Sequence, residues 1–202
     1  MIVSVSADGS SYLGTDPVTP AALPEKLKTS LLGHPEKKLY VKADARTTYF
    51  HVRKILDGIN AAGVRAPALL TAQPEPVKPG TRVAPKGLEV LVGPPNVARS
   101  KLAVIQLLYS GQGSPVLKIN GQNIPMRSLE SRIGQILEHQ PEKLVVVRAD
   151  GQMPFARVVD VADRCQSAGV KVILGGGARA GNASATNQSA IMRGVGAFAG
   201  SL

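Results

Sequence analysis

Two aspartates are the residues in this sequence best placed for acid–base chemistry. Asp44 follows the apolar run "LYVKA" and Asp150 follows "LVVVRA", so each lies between a predicted strand and a predicted helix. A carboxylate in such a place can act as a general acid or base when a second ionisable group lies within reach. Neither aspartate has a histidine or second acid at the matching place of the other stretch. We therefore predict that both accept backbone N–H groups as turn or capping residues.

The histidines and the cysteine do not form a recognisable catalytic or metal-binding pattern. His34, His51 and His139 are widely spaced, and the single Cys165 falls on the apolar face of a predicted helix. A structural zinc site needs four such ligands at close spacing. We predict that no metal is bound and that Cys165 is a small core residue. One cysteine cannot form a disulfide within the chain, so the redox compartment stays open.

A glycine-rich stretch near the end of the sequence, "VILGGGARAG" at 172–181, has the form of a phosphate-binding turn after a strand. A dinucleotide site also requires a following helix and an acidic residue about 20 positions later. Here "NASATNQSA" follows, and no acidic residue occurs after Asp163. The stretch is predicted to be a strand end followed by a tail, and neither a cofactor nor a catalytic residue is predicted anywhere in the chain.

The elements that carry these residues occur twice. An offset of 106 positions aligns about 9–64 with 115–170 without a gap, including "PEKKLYVKAD" with "PEKLVVVRAD" and the shared "AGV". In each copy the spacing of the apolar residues changes along the chain. It alternates first, as in strands, then recurs every four residues, as in a helix, and then gives way to short β-branched runs typical of buried strands. The first helix is expected to open at Thr19-Pro20. Each copy thus predicts the order β-β-α-β-α-β.

The predicted fold class is α/β of the α+β kind: two small domains, each with a mixed sheet and two helices on one face. A length of 202 residues suits two such units, which are large enough to fold with a limited core. The division is a first domain at 1–74, a proline-rich linker at 75–96, a second domain at 97–176 and a flexible Gly/Ala-rich tail at 177–202.

The repeated sequence resembles the periplasmic domain of the ExbD/TolR family. In the first copy the resemblance rests on "VSVSADGSSYLGTDPVTPAAL", "LYVKADARTTYFHVRKILDGINAAGV" and "ALLT". In the second it rests on "KGLEVLVGPP", "LKINGQNIPMRSLESRI" and "VVVRADGQMPFARVVDVADRCQSAGVKVIL". The resemblance covers most of the chain outside the linker and tail.

The resemblance implies a non-catalytic, extracytoplasmic part of a proton-driven motor for biopolymer transport, of the ExbB-ExbD-TonB or Tol-Pal type. Its implied partners are ExbB/TolQ-like and TonB/TolA-like proteins and peptidoglycan. Members of the family carry a membrane-spanning helix with a proton-transferring aspartate, and no run here approaches the ~20 apolar residues that such a helix needs. We expect the sequence to be an excised periplasmic portion, anchored in the inner membrane if the gene carries an upstream helix.

The net charge of +10 raises the alternative of a small basic nucleic-acid-binding module. The excess of basic residues is spread evenly, however, with +3 in 1–72, +2 in 73–100, +3 in 101–174 and +2 in 175–202. Nucleic-acid modules usually concentrate charge on one face and supply stacking aromatics. With 4 Tyr, 3 Phe and no Trp, this chain is not expected to bind a specific nucleic acid, whereas anionic lipid or cell-wall polymer would suit its charge.

The final strand of each copy is predicted to lie at a sheet edge, where unpaired backbone groups invite another strand. We expect the two copies to meet there as an intramolecular pseudo-dimer, with a homodimer and two independent domains on a flexible linker as the alternatives. The candidate interface residues are Ala68, Leu69, Leu70 and Thr71 in the first copy and Lys171, Val172, Ile173 and Leu174 in the second.

Overall fold

A computed structural model describes residues 1–32, 37–70, 87–93, 102–111 and 115–174. Copy 1 denotes residues 1–70 and copy 2 residues 102–174. His34, Thr71 and the glycines of "GGGARAG" lie outside the described residues. The flexible tail, most of the linker and the absence of a phosphate-binding turn in "GGGARAG" therefore stay predictions.

The described residues of copy 1 form five strands and two helices. The first hairpin turns at Asp8-Gly9, where Gly9 adopts φ +90° and the Gly9 N–H donates to the Ser6 carbonyl at 3.0 Å. The elements of copy 1 are β1 Ile2–Val5, β2 Ser11–Leu13, β3 Asp16–Pro17, α1 Leu23–Leu31, β4 Tyr40–Ala43, α2 Tyr49–Ala61 and β5 Ala68–Leu70.

The segment after copy 1 adds two short strands, β6 Gly87–Glu89 and β7 Leu91–Val92. Copy 2 then repeats the order of copy 1, and both of its helices have bounds displaced by 106 positions from those of copy 1. The elements of copy 2 are β8 Ala103–Leu108, β9 Val116–Ile119, β10 Gln122–Ile124, α3 Leu129–Leu137, β11 Leu144–Ala149, α4 Phe155–Ser167 and β12 Lys171–Leu174.

The predicted fold class is confirmed, with two differences in detail. Each copy has one more strand than predicted, because β3 and β10 pair antiparallel with β2 and β9. Helix α1 begins at Leu23, three residues after the proline expected to open it. The Thr19 carbonyl accepts the Ala22 and Leu23 N–H groups at 3.1 Å, so Thr19 holds a turn before the helix.

Each sheet contains six strands in equivalent order. The first sheet runs β3-β2-β1-β4-β5-β6 and the second β10-β9-β8-β11-β12-β7. Strands β1, β4 and β5 are parallel, as are β8, β11 and β12, and the hairpin strands are antiparallel. The two helices of each copy contact each other and bury one apolar face, with Leu23, Leu27, Val52, Ile55 and Ile59 fully or almost fully buried in copy 1.

The prediction that β5 and β12 lie at sheet edges is wrong. Strand β5 pairs antiparallel with β6, and β12 pairs parallel with β7, so both have neighbours on each side. The reason is the apolar alternation of "GLEVLV" within the predicted linker, which buries Leu88, Val90 and Val92. Ala68, Leu69 and Leu70, like Lys171, Val172, Ile173 and Leu174, therefore lie second from the edge of their own sheets.

Candidate functional site

Asp44 and Asp150 occupy equivalent turns between a strand and a helix. The Asp44 Oδ1 accepts the backbone N–H of Arg46 at 2.9 Å, and the Asp150 Oδ1 accepts that of Gln152 at 3.1 Å. Asp44 also receives two hydrogen bonds from the Arg46 guanidinium, both at 3.0 Å. The side-chain and then the backbone hydrogen bonds from Arg46 lower the pKa of Asp44 to about 2. Both carboxylates thus hold turns through backbone hydrogen bonds.

These two turns lead into a reciprocal contact between the copies, which we call the junction and define as residues 45–50 and 151–156. Thr48 and Pro154, which are equivalent positions, form an antiparallel bridge. Four backbone hydrogen bonds between the copies surround it in two symmetric pairs: Tyr49 N to Met153 O and Phe155 N to Thr47 O, both 2.8 Å, and Phe50 N to Gly151 O and Ala156 N to Ala45 O, at 2.9 and 3.2 Å.

The junction supplies acceptors for the first N–H groups of α2 and α4. Such groups have no partner inside their own helix and need one from elsewhere. Neither Thr48 nor Pro154, the residues before the two helices, makes a side-chain capping hydrogen bond. Each helix is therefore capped by backbone carbonyls of the other copy. Because the same pattern is used in both directions, the contact has the form of an isologous dimer interface.

Four side chains at the junction, two from each copy, are buried. Tyr49 and Thr47 are 0 % exposed, Met153 is 1 % and Phe155 is 3 % exposed. Burial raises the pKa of the Tyr49 hydroxyl, which stays neutral. One continuous apolar cluster includes residues of both copies. At its margin the Phe50 ring is 44 % exposed, and the Lys54 Nζ lies 4.2 Å from its centroid.

A second contact between the copies is made by residues 87–93, which we call the seam segment. It runs antiparallel to β5 on one side, where the Val90 and Val92 N–H groups donate to Pro67 and Arg65 carbonyls at 3.1 and 2.9 Å. On its other side Leu91 and Val92 pair with Ile173 and Leu174 of β12. The seam segment thus lies between the final strands of the two copies and joins both sheets.

The remaining candidates for chemistry do not come together. His51 packs on the Gly9 turn and His139 lies two residues after the end of α3, while Cys165 is buried in α4. Burial, with a smaller effect of Glu130, raises the pKa of the Cys165 thiol to about 12, so it is a poor nucleophile at neutral pH. Within the described ranges, no group of three or more His, Cys, Asp or Glu side chains could hold a metal ion.

Sequence reasoning missed both contacts between the copies. Tyr49 and Phe155 could have indicated the junction. They are large aromatic residues at the equivalent first positions of α2 and α4, where an exposed helix usually has polar residues. Pro154 could also have indicated the junction. Proline cannot cap α4 with its side chain, so the helix needs acceptors from elsewhere. The signal for the seam segment was the alternation of Leu88, Val90 and Val92, which is typical of a strand.

These contacts define a duplicated α+β fold whose copies associate through backbone hydrogen bonds and an apolar core. The family model for biopolymer transport protein ExbD/TolR matches residues 1–75 and again residues 72–175. The chain belongs to the ExbD/TolR family and contains the family domain in two tandem copies. Members are components of biopolymer-transport, energy-transducing complexes, act with ExbB/TolQ-type partners and are not known as enzymes.

No curated protein sequence matches the chain. Among the helices of the described residues, none combines the length and the apolar character needed to cross a membrane.

Proposed function

We propose that the chain is the non-catalytic periplasmic part of a proton-motive-force-driven energy-transducing complex of the ExbB-ExbD-TonB or Tol-Pal type. It works there through contacts with TonB/TolA-like proteins or with peptidoglycan, and it is anchored in the inner membrane if its gene carries an upstream membrane-spanning helix. The observation that carries this proposal is the match of both copies to the ExbD/TolR family.

Three features of the described residues support a binding role rather than a catalytic one. Asp44 and Asp150 are engaged in turns, Cys165 is buried, and the described histidines have no acidic partner at hydrogen-bonding distance. The ion pairs of the described residues are at least partly exposed, as expected for structural surface pairs.

We also propose that the two copies act as an intramolecular pseudo-dimer. The junction supports this idea, because its four backbone hydrogen bonds relate equivalent residues of the two copies reciprocally. Covalent linkage makes the association intramolecular, so a pair of domains forms at any protein concentration. The pseudo-dimer provides one composite surface for a partner.

The function is tested by complementation in the bacterium that carries the gene. A strain lacking the gene is given the full-length native protein or a variant, and proton-gradient-dependent transport across the outer membrane is measured. Phe155→Ala at the junction is expected to reduce transport, whereas Val116→Ala, a partly exposed site in the same copy, retains it.

Asp44→Asn and Asp150→Asn separate binding from catalysis in the same assay. Amide oxygens still accept backbone N–H groups, so both variants are expected to retain most of the transport activity. Complete loss of transport in a variant that folds normally would indicate an ionised catalytic carboxylate and refute the non-catalytic role. Normal transport in the deletion strain would refute the motor assignment.

A further inference from the structure

The second sheet has one face packed against α3 and α4 and a second face that carries cations. Ile105 and Leu107 of β8 belong to the apolar core that contains the buried residues of these helices. Because side chains alternate along a strand, Gln106 between them points to the opposite face, which we call the outer face. Lys118 of β9 and Arg148 of β11 both lie beside Gln106 in the strand register. The three side chains form one row across three neighbouring strands, which we call the cationic row.

Lys118 and Arg148 are partly buried, yet neither has an anionic partner. Four lysines or arginines of the described residues are partly buried, and the other two, Arg53 and Arg164, are paired with carboxylates. Lys118 and Arg148 make no ion pair or side-chain hydrogen bond within the described part of the chain. Asp150, the nearest carboxylate along the chain, accepts a backbone N–H of its own turn instead. Partial burial of a cation without a partner is unfavourable, and a bound anion would relieve it.

The cationic row offers hydrogen-bond donors of three kinds to one ligand. Neighbouring strands are about 4.8 Å apart, so Lys118 and Arg148 stand roughly 10 Å apart with Gln106 between them. Lysine and arginine side chains are long enough to converge above Gln106, where an ammonium, an amide and a guanidinium can contact one anion. The guanidinium binds two oxygens of an anion at once, and the ammonium acts as a point charge. A phosphate group has enough oxygens for all three donors, whereas a carboxylate has only two.

Apolar side chains border the cationic row along β8. Val104 and Leu108 lie two residues before and after Gln106, so both point to the outer face, and both are partly buried. An inorganic phosphate ion would leave these side chains in contact with water. A phosphate group attached to a hydrocarbon chain would cover them, which is favourable. The outer face therefore matches a ligand with a phosphate head and an apolar body.

Copy 1 provides an internal comparison, because its equivalent positions hold only one cation. Ser4 of β1 lies beside both Tyr12 of β2 and Lys42 of β4, so these three residues take the places of the cationic row. Lys42 is exposed and needs no partner to compensate for burial. Copy 1 has the same fold without the row, so the fold itself does not require two cations there.

We propose that the cationic row of copy 2, formed by Lys118, Gln106 and Arg148, binds the phosphate group of an anionic lipid. The hydrocarbon part of the lipid covers Val104 and Leu108. This site uses neither the junction nor the seam segment, and it goes beyond the proposed contacts with proteins and peptidoglycan.

The test measures the binding of soluble short-chain lipids to the full chain by isothermal titration calorimetry. Dihexanoyl phosphatidic acid has a phosphate monoester and two short acyl chains. Dihexanoyl phosphatidylcholine has the same chains without net charge, and inorganic phosphate has the charge without the chains. All three are used below the concentration at which the lipids form micelles. Phosphatidic acid is expected to bind at least about tenfold more tightly than either of the others.

Substitutions locate the binding on the cationic row. Lys118→Gln and Arg148→Gln each remove a charge-assisted hydrogen bond and should weaken the binding of phosphatidic acid by at least about tenfold. Lys42→Gln removes the cation at the position of copy 1 equivalent to Arg148, and should leave the dissociation constant within about twofold of that of the unchanged chain. Arg148→Lys keeps the charge but not the forked donor, so its affinity should be intermediate. Thermal unfolding without ligand establishes that each variant is folded, and Lys118→Gln and Arg148→Lys keep the test decisive if Arg148→Gln is not.

Four outcomes would overturn the proposal. They are no binding of phosphatidic acid, equal affinity for phosphatidic acid and inorganic phosphate, equal weakening by Lys42→Gln and Arg148→Gln, and tighter binding of the acetylated acidic tripeptide LEL than of phosphatidic acid. The third would show general attraction to a basic chain, and the fourth would assign the row to an acidic protein partner. Lipid binding in vitro does not depend on the complementation result, so the failure of one proposal is distinguishable from the failure of the other.

Discussion

Phe155→Ala tests whether the two copies unfold together. Phe155 is 3 % exposed at the first position of α4, and its N–H donates to the Thr47 carbonyl of copy 1. Replacing a buried phenylalanine by alanine costs about 3–5 kcal/mol, through lost apolar contact and the cavity that remains. A domain of roughly 75 residues has only about 4–11 kcal/mol of stability, so the substitution removes a large share of it.

If the junction couples the unfolding of the two copies, the loss of stability is shared by both. Hydrogen exchange followed by mass spectrometry reports on peptides from β1, β4 and α2 separately from those of β8, β11 and α4. The slowest amides of both copies should lose protection together, by the same amount of free energy. Val116→Ala, at a residue 37 % exposed in the same copy, should change the free energy of unfolding by no more than about 0.5 kcal/mol.

Unchanged protection in copy 1, with protection lost in copy 2, would refute the coupling. The two copies would then be independent domains joined by a linker, and the junction hydrogen bonds would contribute little in solution. A loss of protection confined to the first turns of α2 and α4 would also contradict the coupling, because it would show local fraying rather than a shared unfolding unit.

Three further predictions test individual residues. Thr47→Val removes a buried hydroxyl that has no hydrogen-bond partner among the described residues. Thermal unfolding should therefore show an unchanged free energy of unfolding or a gain of about 1 kcal/mol. A clear loss of stability would show that the hydroxyl has a hydrogen-bond partner. Gly9→Ala should destabilise more than Gly14→Ala, because both have positive φ but only a Cβ at Gly9 would overlap the His51 ring; equal losses in urea unfolding would contradict this contact. The pKa of Asp44 is lowered from its ordinary value of 3.8 to about 2 in the folded chain. The ionised Asp44 carboxylate therefore stabilises the folded chain fully above pH 3.8, and this stabilisation is lost as the pH falls towards 2. Asp44→Asn should remove that pH dependence from the free energy of unfolding.

The sequence predicted the fold of each copy because local patterns and the internal repeat agree. The glycine turn at Asp8-Gly9, the four-residue spacing of Leu23, Leu27 and Leu31, and the β-branched runs all specify local structure. The added strand β3 was not predicted because Asp16–Pro17 is very short and contains proline, which has no N–H to donate.

The contacts between the copies were harder to predict because backbone carbonyls make them. The hydrogen bonds from Tyr49 and Phe155 use acceptors whose position depends on the fold of the other copy, not on residue type. The seam segment was obscured by its neighbours, since prolines flank "GLEVLV" and indicated a linker. Only the six residues 87–92 of that range have a strand pattern, and Val90 is buried between β6 and β7, which belong to different sheets.

Duplication within one chain also explains why equivalent helix pairs are held together differently. In copy 1, Gly58 of α2 lets Leu23 of α1 approach closely, since a Cβ at Gly58 would lie 3.3 Å from the Leu23 Cδ2. The equivalent residue of copy 2 is Arg164, which bonds to Glu130 of α3 at 3.1 Å and to Asp160 at 3.2 Å.

A homodimer has the same residue at the two positions equivalent to Gly58 and Arg164. Close apolar packing in one copy and an ion pair in the other could therefore not coexist in a homodimer. Two copies in one chain can change independently while the reciprocal junction holds them together.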